Sequence, residues 1–212
     1  RAVEDKRMTA AEAVEKYIDD GDLIASGGFG HVRISTPILH EIIRQDIQDL
    51  VLSGKTSVFD SDLLISAGNV TEIEVAYSVG HEARGLAPGS RRKIENGETK
   101  VVAEASNATL QWRFLAGMMG VPFMPTRILS GTDTYEKSSA KRVEDPWTGD
   151  PLALVPACYP DVAAIHVSRC DKYGNAQIDG ITVEDPDDTW GGNIGTAADS
   201  GGDEQRWRLA EV

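Results

Sequence analysis

Apolar and polar positions along the chain alternate between a helical period and short unbroken apolar runs. Ala10, Ala13, Val14 and Tyr17 recur at helical spacing. Thr9 and Glu12 frame a capping box in front of them, and Gly21 closes the helix this predicts. Leu23-Ile24-Ala25 is a short run that predicts a buried strand. Thr36-Pro37 opens a second helix, with proline at its first position and Ile38, Leu39, Ile42 and Ile43 on its apolar face. Leu50-Val51-Leu52 predicts a strand, Asp62 to Ala67 a short helix closed by Gly68-Asn69, and Val70 to Val79 a further strand region. Arg91 to Glu95 reads as a helix end stopped by Gly97, Lys100 to Glu104 as a strand, and Asn107 to Met119 as a strong helix ending at Gly120 before Pro122. Ala163 to Val167 predicts a late buried strand, which puts His166 in the core, and Asp171 to Gly174 a turn.

Helices that alternate with short apolar strands predict an α/β fold, an open and mostly parallel sheet with flanking helices. Thr132 to Gly149 is polar and mixed, and is expected to be a long surface loop or hairpin able to serve as a lid. From Pro186 the pattern is lost, apart from a short helix predicted near Glu204 to Val212. The expected organisation is an α/β domain over residues 1–185 followed by an atypical, loosely ordered Gly/Asp-rich tail over 186–212.

Composition narrows the function. With 212 residues and 41% apolar content the chain can bury a sizeable core. Its apolar runs are far shorter than a membrane span, and the charged stretch Arg1 to Thr9 lacks the apolar region of a signal peptide. Cys158 and Cys170 are too far apart for a CxxC pair, and no histidine sits at metal spacing. They are expected to be two reduced, buried thiols in a cytoplasmic protein without a bound metal. A net charge of −13 argues against nucleic acid and against anionic membrane surfaces as partners. The denser acidic patches, Asp19-Asp20, Asp60-Asp62 and Glu184 to Asp188, read as solvated surface. An anionic ligand would therefore need local positive potential from backbone amides or a few arginines and lysines.

One stretch points to chemistry. Ile24-Ala25-Ser26-Gly27-Gly28-Phe29-Gly30 places three glycines around a phenylalanine at the end of a predicted strand. In an open α/β sheet, ligands bind beyond the carboxyl ends of the strands, and a glycine loop there can aim N–H groups at an anion or a developing oxyanion. No lysine follows the glycines, so the phosphate loop of nucleotide triphosphatases is absent. The spacing Gly27, Gly28, Gly30, His31 also fails the dinucleotide fingerprint. Spacing alone leaves a tight structural turn and a ligand cradle equally open.

The segment Asp20-Gly21-Asp22-Leu23-Ile24-Ala25-Ser26-Gly27-Gly28-Phe29-Gly30, with Pro37 behind it, resembles the A-type signature of the family I CoA-transferases, which include the 3-oxoacid and glutaconate CoA-transferases. Ser90 to Glu98 resembles that family's helix ending in a Gly-Glu step. Ser106 to Gly117, running on through Gly120-Val121-Pro122-Phe123-Met124-Pro125-Thr126-Arg127, resembles its next helix and loop. Asp171-Lys172-Tyr173-Gly174-Asn175-Ala176 resembles its late turn. The likeness covers roughly residues 8 to 185 in the family's order. Two departures stand out. His31 to Thr36 replaces a stretch where relatives usually have another glycine before the proline, and Gly191 to Gly202 offers neither the helix nor the strand with which relatives complete the sheet.

The resemblance implies an A-type chain working with a B-type partner chain. Coenzyme A would be a substrate, not a permanently bound cofactor, and would move between an acyl-CoA and a small carboxylic acid. In such enzymes a glutamate of the B-type chain attacks the thioester, so no catalytic nucleophile is expected here. Glu95-Asn96-Gly97 imitates the family's nucleophile context. It follows Arg91-Arg92-Lys93 on a helix end and is read as a decoy. The residues carried over are Gly27, Gly28, Phe29 and Gly30 as a substrate and oxyanion loop, with His31, Asn107 and His81 as further substrate contacts. Asn107 also reads as a helix N-cap, His81 and His31 as surface histidines, and Arg33 and Arg127 as phosphate contacts or as solvated or paired arginines. The alternatives are an acyl-CoA hydrolase, decarboxylase or ring-opening enzyme on the same scaffold, and, in another class, a non-catalytic ligand-binding or regulatory module.

Overall fold

The computed structural model describes residues 5–78, 80–81, 85–179 and 208–210. Helix α1 (Ala10–Tyr17) starts at a complete capping box: the Glu12 N–H donates to the Thr9 hydroxyl, and the Glu12 carboxylate accepts from the Thr9 N–H. It is followed by β1 (Leu23–Ser26), α2 (Thr36–Arg44), β2 (Leu50–Gly54), α3 (Phe59–Ala67) and β3 (Val70–Val75). A small hairpin, β4 (Gly80–His81) and β5 (Gly85–Leu86), leads to α4 (Pro88–Glu95), β6 (Lys100–Glu104) and α5 (Asn107–Met119). Then come β7 (Phe123–Thr126), α6 (Asp133–Lys137), β8 (Lys141–Glu144), β9 (Pro151–Pro156), β10 (Val162–Ala164), the hairpin β11 (Arg169–Cys170) and β12 (Ala176–Gln177), and β13 (Arg208–Ala210).

The main sheet has the order β13-β10-β1-β2-β3-β6, and every pairing in it is parallel. Successive strand residues face opposite sides, and both sides are covered. Ile24, Leu52, Ile73 and Val162 pack with the apolar faces of α1, α2 and α3. Ala25 and Ala163 face the other way, against Leu110 and Phe114 of α5. Small residues on that side let α5 come close. A Cβ on Gly117 would lie 2.3 Å from the Cys158 carbonyl oxygen.

The expected α/β class and parallel sheet hold, and several boundaries move for tertiary reasons. The strand expected to run to Val79 stops at Val75, where its neighbour β2 ends at Gly54. The strand expected over Ala163 to Val167 stops at Ala164, opposite Ser26, because β1 turns away there into the glycine loop. His166 is consequently exposed, not a core residue. Helix α3 begins at Phe59, three residues before the expected start, so Asp60 is buried and not part of a solvated patch. Cys158 is buried as expected, but Cys170 is exposed. Residues 132–149, expected as a loop or hairpin, hold α6 and β8. Strand β8 joins β7 and β9 in an antiparallel sheet of order β7-β9-β8. Arg208–Ala210 is a strand beside β10, not the short helix expected there. The remainder of the expected tail, and the domain boundary at 185, lie outside the described residues.

Candidate active site

The glycine loop leaves the carboxyl end of β1 and folds back on itself at once. Phe29 and Val32 exchange both backbone hydrogen bonds, 3.0 and 2.8 Å, around the two-residue turn Gly30-His31. Gly30 has φ +60° at the first turn position, the pattern of a turn that needs glycine there. Gly28 has φ +100°, and a Cβ on it would stand 2.6 Å from the Arg33 carbonyl oxygen and 2.7 Å from that of Val32. The close approach that demands glycine at position 28 is therefore the loop's own returning backbone.

This accounts for most of the loop's amides. Gly27 N–H donates to the Ala164 carbonyl at 2.9 Å, and Phe29 N–H to Val32. Gly30 N–H donates to the Thr56 carbonyl at 2.9 Å, while the Gly30 carbonyl accepts from Phe59 N–H at 3.2 Å. Among the described residues, no acceptor takes the Gly28 N–H. Of the four residues, Gly28 thus keeps a donor for a ligand oxygen.

A second loop, residues 55–58, crosses the carboxyl end of β2 and meets the first. Thr56 has φ +48°, a costly conformation for a β-branched residue and one that the surroundings must enforce. Its carbonyl holds Gly30, and its hydroxyl donates to the Asn107 Oδ1 at 3.3 Å. Thr56 therefore joins two residues that the sequence singled out separately. Asn107 is not the N-cap of α5. Ser106 is, with its hydroxyl accepting from Thr109 N–H, and the Asn107 side chain is left exposed at the first helical position. Lys55 is buried, and its ammonium lies 6.0 Å from the centre of the Phe29 ring, a cation at the glycine loop of an acidic chain.

His31 is exposed at the tip of the loop, its ring edge-on to Phe59 at 6.4 Å. His81 lies in β4, its backbone paired with Gly85, and its side chain is outside the described residues. Glu95 is on exposed α4, held by Arg91 at 2.6 Å, and Gly97 with φ +76° follows it. Arg127 pairs with Asp150 at 3.2 Å and Asp145 at 3.6 Å on the small sheet. Among the described residues, no group of three or more His, Cys, Asp or Glu side chains could hold a metal ion, and no helix is long and apolar enough to cross a membrane.

Beneath both loops lies a polar layer that the sequence reading missed. Asp60, in the first turn of α3, is 1% exposed, and Ser26 and Ser57 face its carboxyl. Burial pushes its pKa above the ordinary 3.8, against smaller opposing effects from the two serines and the nearby backbone N–H groups. Ser61 donates to the Ser57 carbonyl and Ser78 to the Ser61 hydroxyl at 3.1 Å. The signal was present in Ser53-Gly54-Lys55-Thr56-Ser57, a polar run directly after the apolar stretch Leu50-Val51-Leu52, at the carboxyl end of the strand beside β1. Cys158, by contrast, is a buried thiol pushed up to about 11 by desolvation and is a poor nucleophile.

A raised carboxyl pKa has a definite linkage sign. The folded chain holds the Asp60 proton to higher pH than the unfolded chain, so this group's contribution falls as pH rises above the ordinary 3.8. Asp60→Asn removes that dependence. Thermal midpoints measured as pH rises from 4 are expected to show the wild type losing ground against Asp60→Asn until the carboxyl ionises in the folded chain. Parallel curves would mean that Asp60 is ionised at no cost.

The chain as a whole matches a known family. The family described as Coenzyme A transferase matches residues 7–188, and the chain belongs to it. An uncharacterized protein of Archaeoglobus fulgidus is 63% identical over 185 residues, which are 87% of this chain and 41% of that protein. The A-type chain of the 3-oxoadipate CoA-transferase of Pseudomonas knackmussii is 37% identical over 82% of this chain and 62% of its own. The crystal structure of glutaconate CoA-transferase from Acidaminococcus fermentans superposes with a TM-score of 0.78 at 26% identity, over 88% of this chain and 64% of that one. The chain thus spans about two fifths to two thirds of the length of these relatives.

Proposed function

We propose that this chain is the A-type part of a heteromeric CoA-transferase that moves CoA between an acyl-CoA and a small organic acid, the nucleophilic glutamate coming from a B-type partner. The observation that carries the reading is the Gly30–Thr56–Asn107 connection. It sets an exposed side-chain amide and the unclaimed Gly28 N–H at one end of the sheet. Two carboxylates of this chain are poorly suited to be the nucleophile. Asp60 is enclosed, and Glu95 is paired on a surface helix.

In this reading the partner's carboxylate adds to the thioester carbonyl, and the CoA thiolate leaves an acyl-glutamyl anhydride. The thiolate then attacks the glutamyl carbonyl, releasing the acid and leaving a glutamyl-CoA thioester. A second acid reverses both steps. Each addition places negative charge on a carbonyl oxygen, which a fixed N–H such as that of Gly28 stabilises. CoA enters and leaves as a substrate.

The test is to isolate the chain with its partner from native extract and treat the complex with acyl-CoA followed by borohydride, which traps a glutamyl thioester. Trapping on the partner is the expected result, unchanged by Glu95→Gln. Trapping on Glu95 would overturn the division of labour. A complex that turns over acyl-CoA without trapping would place the chain among hydrolases or decarboxylases.

A further inference from the structure

We propose that Asp60 is a positioning residue: its enclosed carboxyl fixes the 55–59 turn from below and so sets the directions of the Gly30 turn and of Asn107 above it. Three elements converge on this carboxyl. Ser26 ends β1, Ser57 lies in the turn, and Asp60 itself opens α3. Gly54, the last residue of β2, leaves the space. A Cβ there would stand 2.5 Å from the Ser57 Cβ and 3.8 Å from the Asp60 Oδ2.

Both backbone hydrogen bonds of Gly30 go to this turn, one to Thr56 and one from Phe59, the residue preceding Asp60. Thr56 holds a left-handed conformation that nothing in its own side chain favours. It keeps that conformation while bonded to Gly30 on one side and Asn107 on the other. Ser26 Oγ, Ser57 Oγ and Asp60 Oδ1 are all enclosed, and none has an aligned hydrogen-bond partner among the described residues. The Asp60 carboxyl can accept from one of these hydroxyls. An asparagine amide can do the same, whereas alanine cannot.

The activity arm of the test rests on the CoA-transferase reading, and the exchange arm does not. Amide hydrogen exchange at Gly30 is read in the full chain alongside CoA exchange by the complex with its partner. In Asp60→Ala the Gly30 amide is expected to exchange at least about 10-fold faster, with Leu52 and Ile73 amides unchanged. Asp60→Asn stays within about 3-fold of wild type. The complex carrying Asp60→Ala loses roughly 10- to 100-fold in kcat with KM for acyl-CoA nearly unchanged, and Asp60→Asn restores most of it. Ser57→Ala, which spares the carboxyl, shifts Gly30 exchange in the same direction by a smaller factor and serves if Asp60→Ala does not fold.

Unchanged Gly30 exchange in Asp60→Ala overturns the proposal. So does faster exchange at Leu52 and Ile73 together with Gly30, or an Asp60→Asn variant as damaged as Asp60→Ala. If the wild-type complex exchanges no CoA, the functional reading fails, and Gly30 exchange alone decides the role of Asp60.

Discussion

Arg113→Ala is expected to destabilise the chain by about 3–5 kcal/mol, the cost of leaving one member of a buried ion pair without its partner. Arg113 on α5 is 6% exposed and bonds Glu74 of β3 at 3.0 Å, and its Nε donates to the Pro156 carbonyl at 3.1 Å. The guanidinium therefore ties α5 both to the parallel sheet and to β9 of the antiparallel one. Removing it leaves the Glu74 carboxylate without its partner near an apolar cluster in which Ala25 and Ala163 of the sheet pack against Leu110 and Phe114 of α5. In a domain of this size the loss corresponds to a fall of roughly 6–20 °C in thermal midpoint. The paired variant Arg113→Met with Glu74→Leu separates the causes. If the cost is an orphaned charge, the double variant recovers most of the stability. If the arginine acts mainly through Pro156, the double variant is as weak as the single one.

How much of this was legible in the sequence depended on where each residue's partner lies. The helices with local signals were legible: Thr9 with Glu12, Pro37, Gly68 and Gly120 act within a few residues of themselves, and α1, α2 and α5 lie where those signals put them. The central strands were legible as apolar runs, but their ends were not, because a strand stops where its neighbour stops. Val75 ends with Gly54 and Ala164 with Ser26, and nothing local to Ile165-His166-Val167 says so. The β7-β9-β8 sheet was hidden for a similar reason. Pro125 sits in edge strand β7, where a missing N–H is tolerated, and Lys141-Arg142-Val143-Glu144 looks like loop until it is paired with β9.

The candidate site divides the same way. Its glycines were visible, as was the family likeness they carry. The polar run Ser53 to Ser57 marked the place, but the roles of Thr56 and Asp60 were not legible, since a strained threonine and a buried aspartate gain their meaning from contacts with Gly30, Asn107 and Ser26 that are distant in sequence. Asn107 was singled out from the sequence, yet the capping role weighed against a functional one belongs to its neighbour Ser106.

Gly28→Ala is expected to be the most damaging small change in the glycine loop, and a second glycine shows why. Gly21 also has positive φ, +83°, but a Cβ there would meet nothing within 4 Å. Gly21→Ala therefore carries only the left-handed penalty of about 1–2 kcal/mol and leaves activity intact. At Gly28 the same penalty applies, and the new Cβ in addition meets two backbone carbonyl oxygens at 2.6 and 2.7 Å. Backbone cannot rotate away as a side chain tip can, so the Phe29–Val32 pairing must open and Gly28 N–H must turn from its direction. Displacement of a positioned donor by about 1 Å costs on the order of 100-fold in rate. The complex carrying Gly28→Ala is thus expected to lose activity by about that factor while its thermal midpoint falls only a few degrees further than that of Gly21→Ala. Equal activity in the two variants would show that the loop is a structural turn and that the oxyanion donor lies elsewhere. Loss of activity with a midpoint matching Gly21→Ala would show that the loop yields to the methyl group at little energetic cost and that its geometry matters chiefly to the chemistry.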